Sequence, residues 1–226
     1  MPVQSVEAAR AVLGDDVLGA PEIEVMIGAL PAGADVPIPF SHDELRSAAK
    51  AGAMLVLRVT QTVDAAPLTI LEMVKRFPEA FDQKLLRQMG YQLKDDWGIE
   101  LEPLAASETC APGWALVRKE ILDETRNLSF ELQEPALQRY AELLGVPASA
   151  VRRRSSVEIV YDTVLCFEAR RVRLLEKTWD WSGSRTVDGG YLNVGGFTPA
   201  GMQILSYSRA VRHGALGICP SYRHAD

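Results

Sequence analysis

Cysteine and histidine are both scarce in this chain, three of each in 226 residues. Cys110, Cys166 and Cys219 are far apart and odd in number. That spacing argues against a disulfide scaffold, and without a Cys-x-x-Cys pair or a His-Glu-x-x-His motif it argues against a zinc centre as well. Reduced thiols in a cytoplasmic protein are the simplest expectation. Long hydrophobic runs are also missing: nothing nears the roughly 20 apolar residues of a membrane helix. The opening MPVQSVEAARAVLGDD lacks the basic-then-apolar order of a signal peptide. No glycine-rich phosphate loop and no acidic calcium loop occurs, so neither a cofactor nor a metal is expected. Asp95-Asp96 is the nearest approach to a ligand pair, and thirty acids allow many carboxylate pairs that spacing alone cannot select.

What is present is an ordinary globular mixture, 47% hydrophobic and 24% charged. It suits one large α+β domain spanning 1–226, with a division near residue 150 as the alternative. The charge is lopsided. Residues 1–150 carry 13 Lys+Arg against 23 Asp+Glu, whereas residues 151–226 carry 11 against 7. The back third holds ten arginines and a single lysine, a composition suited to planar, bidentate pairing. The excess there is only +4 and the whole chain is at −6, which speaks against nucleic acid as the partner.

The pattern predicts an amphipathic helix over residues 4–13, a strand over 22–30, and an extended, proline-bound segment over 31–40. Ser41, Thr69 and Ser155 each precede a Glu by three residues, so three capping boxes open helices there. Strands are expected at 54–60, 97–102 and 113–121, a short helix at 82–89 stopped by Gly90, and a helix at 133–144 stopped by Gly145. The longest element is a helix over 156–178. Val157, Val160, Tyr161, Val164, Leu165, Val172 and Leu175 lie largely on one stripe, and Glu158, Asp162, Arg170, Arg173 and Lys177 on the opposite one. Arg152-Arg153-Arg154 stand at its N-terminus, where the helix dipole disfavours cations, so they are expected to pair with acids elsewhere. After residue 178 come short strands at 191–195, 202–207 and 216–219, with Gly189-Gly190 and Gly195-Gly196 as turn or bulge glycines. The expected architecture is helices packed on a small, mostly antiparallel sheet, the long helix leading into a β-rich C-terminal segment.

Trp181-Ser182-Gly183-Ser184, the strand Tyr191-Leu192-Asn193-Val194, a turn closing at Gly201 and the final Leu216-Gly217-Ile218-Cys219-Pro220 resemble the closing strands of C-type-lectin-like domains of the formylglycine-generating-enzyme type. The likeness spans residues 179–221. The enzyme branch's paired cysteines are absent, so it implies no catalysis, and no calcium site carries over. Met54 to Val59, Gly113 to Val117, Glu158-x-x-Tyr161-Asp162 and Trp181 to Gly196 are similar in order to a family of bacterial proteins, a resemblance that implies no activity.

The expected function is binding of a protein or small ligand, without catalysis, through a C-terminal aromatic and arginine surface of Trp181, Arg185, Tyr191, Arg209, Arg212 and His213. The alternatives are a hydrolase or transferase using Cys219, with His213 as its base, or an acidic pair, and nucleic-acid binding through the arginines. Trp179 and Trp181 are expected to pack where the long helix meets the terminal sheet.

Overall fold

The computed structural model describes residues 2, 3, 5–84, 86 and 98–224. Among them are seven α-helices: α1 (Val6–Leu13), α2 (Ala20–Ile27), α3 (His42–Lys50), α4 (Ile70–Arg76), α5 (Pro103–Ser107), α6 (Glu134–Leu144) and α7 (Ser156–Arg170). The strands are β1 (Val17–Leu18), β2 (Ala53–Arg58), β3 (Gly113–Arg118), β4 (Val151–Arg152), β5 (Trp179–Arg185), β6 (Tyr191–Thr198), β7 (Gly201–Tyr207), β8 (Leu216–Gly217) and β9 (Ser221–Tyr222). The α+β class is what forms, with the strands divided between two sheets rather than gathered in one. The first runs β1-β2-β3-β9-β4 and the second β7-β6-β5-β8; only β1–β2 and β5–β8 pair in parallel. No helix among the described residues is long and apolar enough to cross a membrane.

Helix α7 lies between the sheets and packs on β2 of one and on β5 and β6 of the other. Twelve consecutive residues, from Ser156 to Phe167, are buried, so the helix has no solvent-facing side over that length. Its start is fixed by the capping box. Ser155 Oγ accepts from the Glu158 amide while Glu158 accepts from the Ser155 amide at 2.9 Å. Ser41 and Glu44 close the same box on α3. Thr69 caps α4 from one side only, because Glu72 turns instead to Arg76 at 2.5 Å.

Three expectations need correcting. Residues 22–30 do not form a strand: α2 covers their first part. Glu22 accepts from the Gly19 amide at 2.8 Å, and Pro21 stands in the first turn, where its missing N–H costs nothing. Ile23 and Met26 are buried three apart while Val25 is 65% exposed, which is helical spacing inside a run that reads as alternation. Second, the helix expected over 156–178 ends at Arg170. Arg171 takes the left-handed conformation (φ 55°), its amide donating to Phe167 O at 2.7 Å. Leu175 is left-handed too (φ 56°). The Arg171 and Arg173 guanidiniums then lie 5.1 and 5.3 Å from the Phe167 ring centre, so the chain doubles back over the last helical turn. Residues 171–178 continue the helical spacing in sequence and hide this turn. Third, the described part of 97–102 is a 3-10 turn, Ile99–Leu101, leading into Pro103 at the start of α5. Half of the helix expected at 82–89 (residues 85 and 87–89), Gly90 and the Asp95-Asp96 pair lie outside the described residues.

The second glycine pair does what a bulge requires. Between Gly195 and Thr198 the β6–β7 register shifts. Gly195 (φ 158°) brings its backbone so near β5 that a Cβ would stand 2.1 Å from Thr178 O, and on Gly196 (φ 56°) one would strike the Trp179 ring at 2.5 Å.

Candidate functional site

The three arginines before α7 open a buried ionic network that joins the two sheets. Arg58, at the end of β2, donates from Nε and Nη2 to Asp162 at 2.8 and 2.6 Å and from Nη1 to Glu158 at 2.7 Å. Arg154 donates from Nη1 to the same Asp162 Oδ2 at 2.8 Å, and from Nε and Nη2 to Asp180 of β5 at 3.0 and 2.8 Å. The other Asp180 oxygen accepts from the Cys219 amide at 2.8 Å. Arg152 closes a fork on Glu158 at 2.7 and 2.6 Å. Three guanidiniums thus face three carboxylates, and every side chain but Arg152 is at most 2% exposed. Burial alone would raise Glu158; Arg58 and Arg152 outweigh it and hold the carboxyl at about 2. At Asp180 burial wins and leaves the carboxyl raised, although Arg154 and the Cys219 amide pull the other way. Glu158 and Asp162 of the expected polar stripe are therefore turned inward. Arg153 leaves the network for Glu134, Gln133, Phe130 O and Trp181 O.

On β5 the side chains alternate, so Asp180 faces α7 and Trp179 and Trp181 face away from it. Across β5, β6 and β7 the outward rows read Trp179–Gly195–Gln203, Trp181–Asn193–Leu205 and Arg185–Tyr191–Tyr207. Residues 127–133 and 208–214 fold over this face, bonded to each other through Asn127 N to His213 O at 3.2 Å and Phe130 N to Arg209 O at 2.9 Å. The Phe130 ring stacks on Tyr191 at 4.0 Å and meets Trp181 edge-on at 5.3 Å, with the Arg153 guanidinium 3.9 Å from its centre.

The six residues expected on this surface divide. Tyr191 is on it, half-buried; Arg185, Arg209 and Arg212 stand exposed at its rim; His213 turns its ring to Trp179 at 6.3 Å. Trp181 is a correction: it is fully buried beneath Phe130 and supports the surface without belonging to it. Its Nε1 and both amide atoms of Asn193, opposite it on β6, have no hydrogen-bond partner among the described residues. Phe130 is the member that sequence reading missed; Tyr207, legible as an aromatic at the end of an alternating strand, stood outside the six expected residues.

The thiols are not poised for nucleophilic attack. Burial pushes Cys110 and Cys219 well up and Cys166 to about 11, so all three stay protonated at neutral pH. The pairing of Cys219 with His213 is not formed: Cys219 lies buried beside Arg154 and Asp180, and the exposed His213 accepts at Nδ1 from the Ala215 amide. No group of three His, Cys, Asp or Glu able to hold a metal occurs among the described residues. A cleft of about 1070 Å³ opens elsewhere, floored by Leu18, Met54 and Cys166 and walled by residues 172–178.

No family model matches the chain, and neither the curated proteins nor the solved structures yield a match.

Proposed function

We propose that this chain is a non-catalytic interaction protein and that the outer face of β5–β7 receives an acidic partner segment with an aromatic or aliphatic anchor. The observation that carries this is the stack of Phe130 on Tyr191 at 4.0 Å, pinned by Arg153 beneath and walled by Tyr207 on the neighbouring strand. Tyr191 and Arg153 cover the two faces of the Phe130 ring, so its edge, with Tyr191 and Tyr207, offers apolar area at little further entropy cost, because the rings are already fixed. Leu132, two residues after Phe130, and Val187, in the turn between β5 and β6, are 52% and 69% exposed and add apolar area. The charge at its edge sets the partner's sign. Arg185, Arg209 and Arg212 surround the rings, and of these Arg209 alone is paired among the described residues, with Glu131 at 3.3 Å. An acidic segment complements that rim, which steers its approach and fixes its register.

The arginine richness of the back third supports this reading over nucleic-acid binding. Arg153 and Arg154 are buried in internal pairs, and Arg152 and Arg170 are bound to Glu158 and Glu22. Three rim arginines fall short of a tract that follows a phosphate backbone.

The test is a panel of peptides with a Phe or Leu anchor flanked by Asp and Glu, beside the same peptides flanked by Lys, read by nuclear magnetic resonance. The acidic set should shift the signals of Tyr191, Tyr207 and the Arg209–His213 loop, and an R209A/R212A variant with unchanged melting temperature should lose the effect. Equal response to both sets, or none, overturns the proposal. Retention on a heparin column that outlasts moderate salt would favour the nucleic-acid reading instead.

A further inference from the structure

The cleft beside α7 carries charge that its own walls leave unmatched. Four arginines line it: Arg10, Arg126, Arg170 and Arg173. Arg10 and Arg170 converge on one oxygen of Glu22 at 2.7 and 2.9 Å, and Arg126 is held by Asp123 at 2.8 Å. Lys119, also at the cleft, pairs with Asp16 at 2.6 Å. Arg173 alone of the four has no carboxylate among the described residues, and its Nε is buried with no acceptor. Its guanidinium lies near Phe167 and Phe197, 5.3 and 5.7 Å from their centres, in a wall shared with a smaller hollow of about 530 Å³. A buried N–H without an acceptor is costly to the folded chain on its own, and a bound anion removes that cost. The other cleft charges that lack an ion pair, Asp15, Glu120, Glu176 and Lys177, are exposed, where water solvates them. The floor of Leu18, Met54 and Cys166 is apolar.

We infer that this cleft is a second binding site, for a small molecule that joins one anionic group, a carboxylate or a phosphate monoester, to an apolar body. The anionic group meets Arg173, whose planar face is already fixed on aromatic rings and whose free edge suits a bidentate acceptor. The apolar body meets the partly exposed Val172 and Leu174 beside the floor of Leu18, Met54 and Cys166. The volume suits a ligand of drug or metabolite size. Arg171 and Leu175, both left-handed, shape the 171–178 segment whose residues 172–178 wall the cleft.

The experiment titrates the whole chain with octanoate, octyl phosphate, octylammonium and inorganic phosphate by calorimetry, and follows the Met54 methyl resonance. Octanoate or octyl phosphate should bind and shift Met54, with the stronger of the two identifying the head group, while octylammonium and inorganic phosphate should not. R173M, which keeps the packing on Phe167 and removes the unmatched donor, should weaken binding at least tenfold without lowering the melting temperature. R209A/R212A, on the other face, should leave it unchanged. The inference is overturned if R173M binds as well as the parent, if octylammonium binds equally, or if neither eight-carbon anion moves Met54.

Discussion

Arg58 and Asp162 stand 104 residues apart in the chain and close a two-pronged ion pair, Nε to Oδ1 at 2.8 Å and Nη2 to Oδ2 at 2.6 Å, with both side chains wholly buried. Asp162 also takes Arg154, and Arg154 takes Asp180, so one continuous set of charge-assisted bonds runs from β2 through α7 to β5. Buried pairs repay their desolvation only when every donor and acceptor is matched. Here the match between guanidiniums and carboxylates meets that condition and ties together the two layers that carry the proposed surfaces.

Removing one member should therefore cost more than a surface pair would. Asp162→Asn leaves two buried guanidiniums short of charge and should destabilise the protein by about 3–5 kcal/mol. Urea unfolding measures it; a loss under about 1 kcal/mol, the range of exposed pairs, would show that the network is not buried as described.

Acid should undo the same network at a definite place. Glu158 is held at about 2 against an ordinary 4.5. A depressed carboxyl contributes fully above its unfolded value and loses its contribution as pH falls through the folded one. Its share, about 3 kcal/mol, should thus disappear between pH 4.5 and about 2. E158Q should be less stable at pH 7 and show a flatter stability profile over that window. An unchanged profile would mean that Glu158 is not the group being titrated.

The two glycine environments separate cleanly. Gly195→Ala places a Cβ 2.1 Å from Thr178 O and should cost at least about 2 kcal/mol, whereas Gly214→Ala meets only the Asn127 side chain at 3.6 Å and should stay within about 0.5 kcal/mol. Equal effects in thermal unfolding would contradict the bulge packing.

Thiol reactivity tests the reading of the cysteines. Cys110 and Cys219 should resist an aromatic disulfide reagent in the native protein at pH 8 and react in urea. Rapid native labelling of Cys219 would restore the thiol chemistry set aside above.

Much of this architecture was legible in advance because local chemistry settled it. The Ser41 and Ser155 boxes, the Gly145 stop and the Thr198–Gly201 turn each depend on residues within a turn of one another. The Arg152–Arg154 run announced internal pairing, since cations at a helix N-terminus need a stronger reason to be there. Which acids they meet was not legible: Asp180 lies 26 residues from Arg154 and Glu134 lies 19 from Arg153. The strand expected at 22–30 failed because apolar residues alternate there over a stretch too short to separate the two periods, and the Glu22 bond to Gly19 decides it. Trp181 was placed on the surface because nothing in the sequence marks Phe130, 51 positions earlier, as its cover.

The most direct measurement is a double-mutant cycle between Arg58→Met on one sheet and Asp180→Asn on the other, read by urea unfolding. These residues share no bond; they are linked only through Asp162 and Arg154. A connected network predicts a coupling of about 1 kcal/mol or more. Effects that add to within about 0.5 kcal/mol, as independent distant sites do, would contradict it.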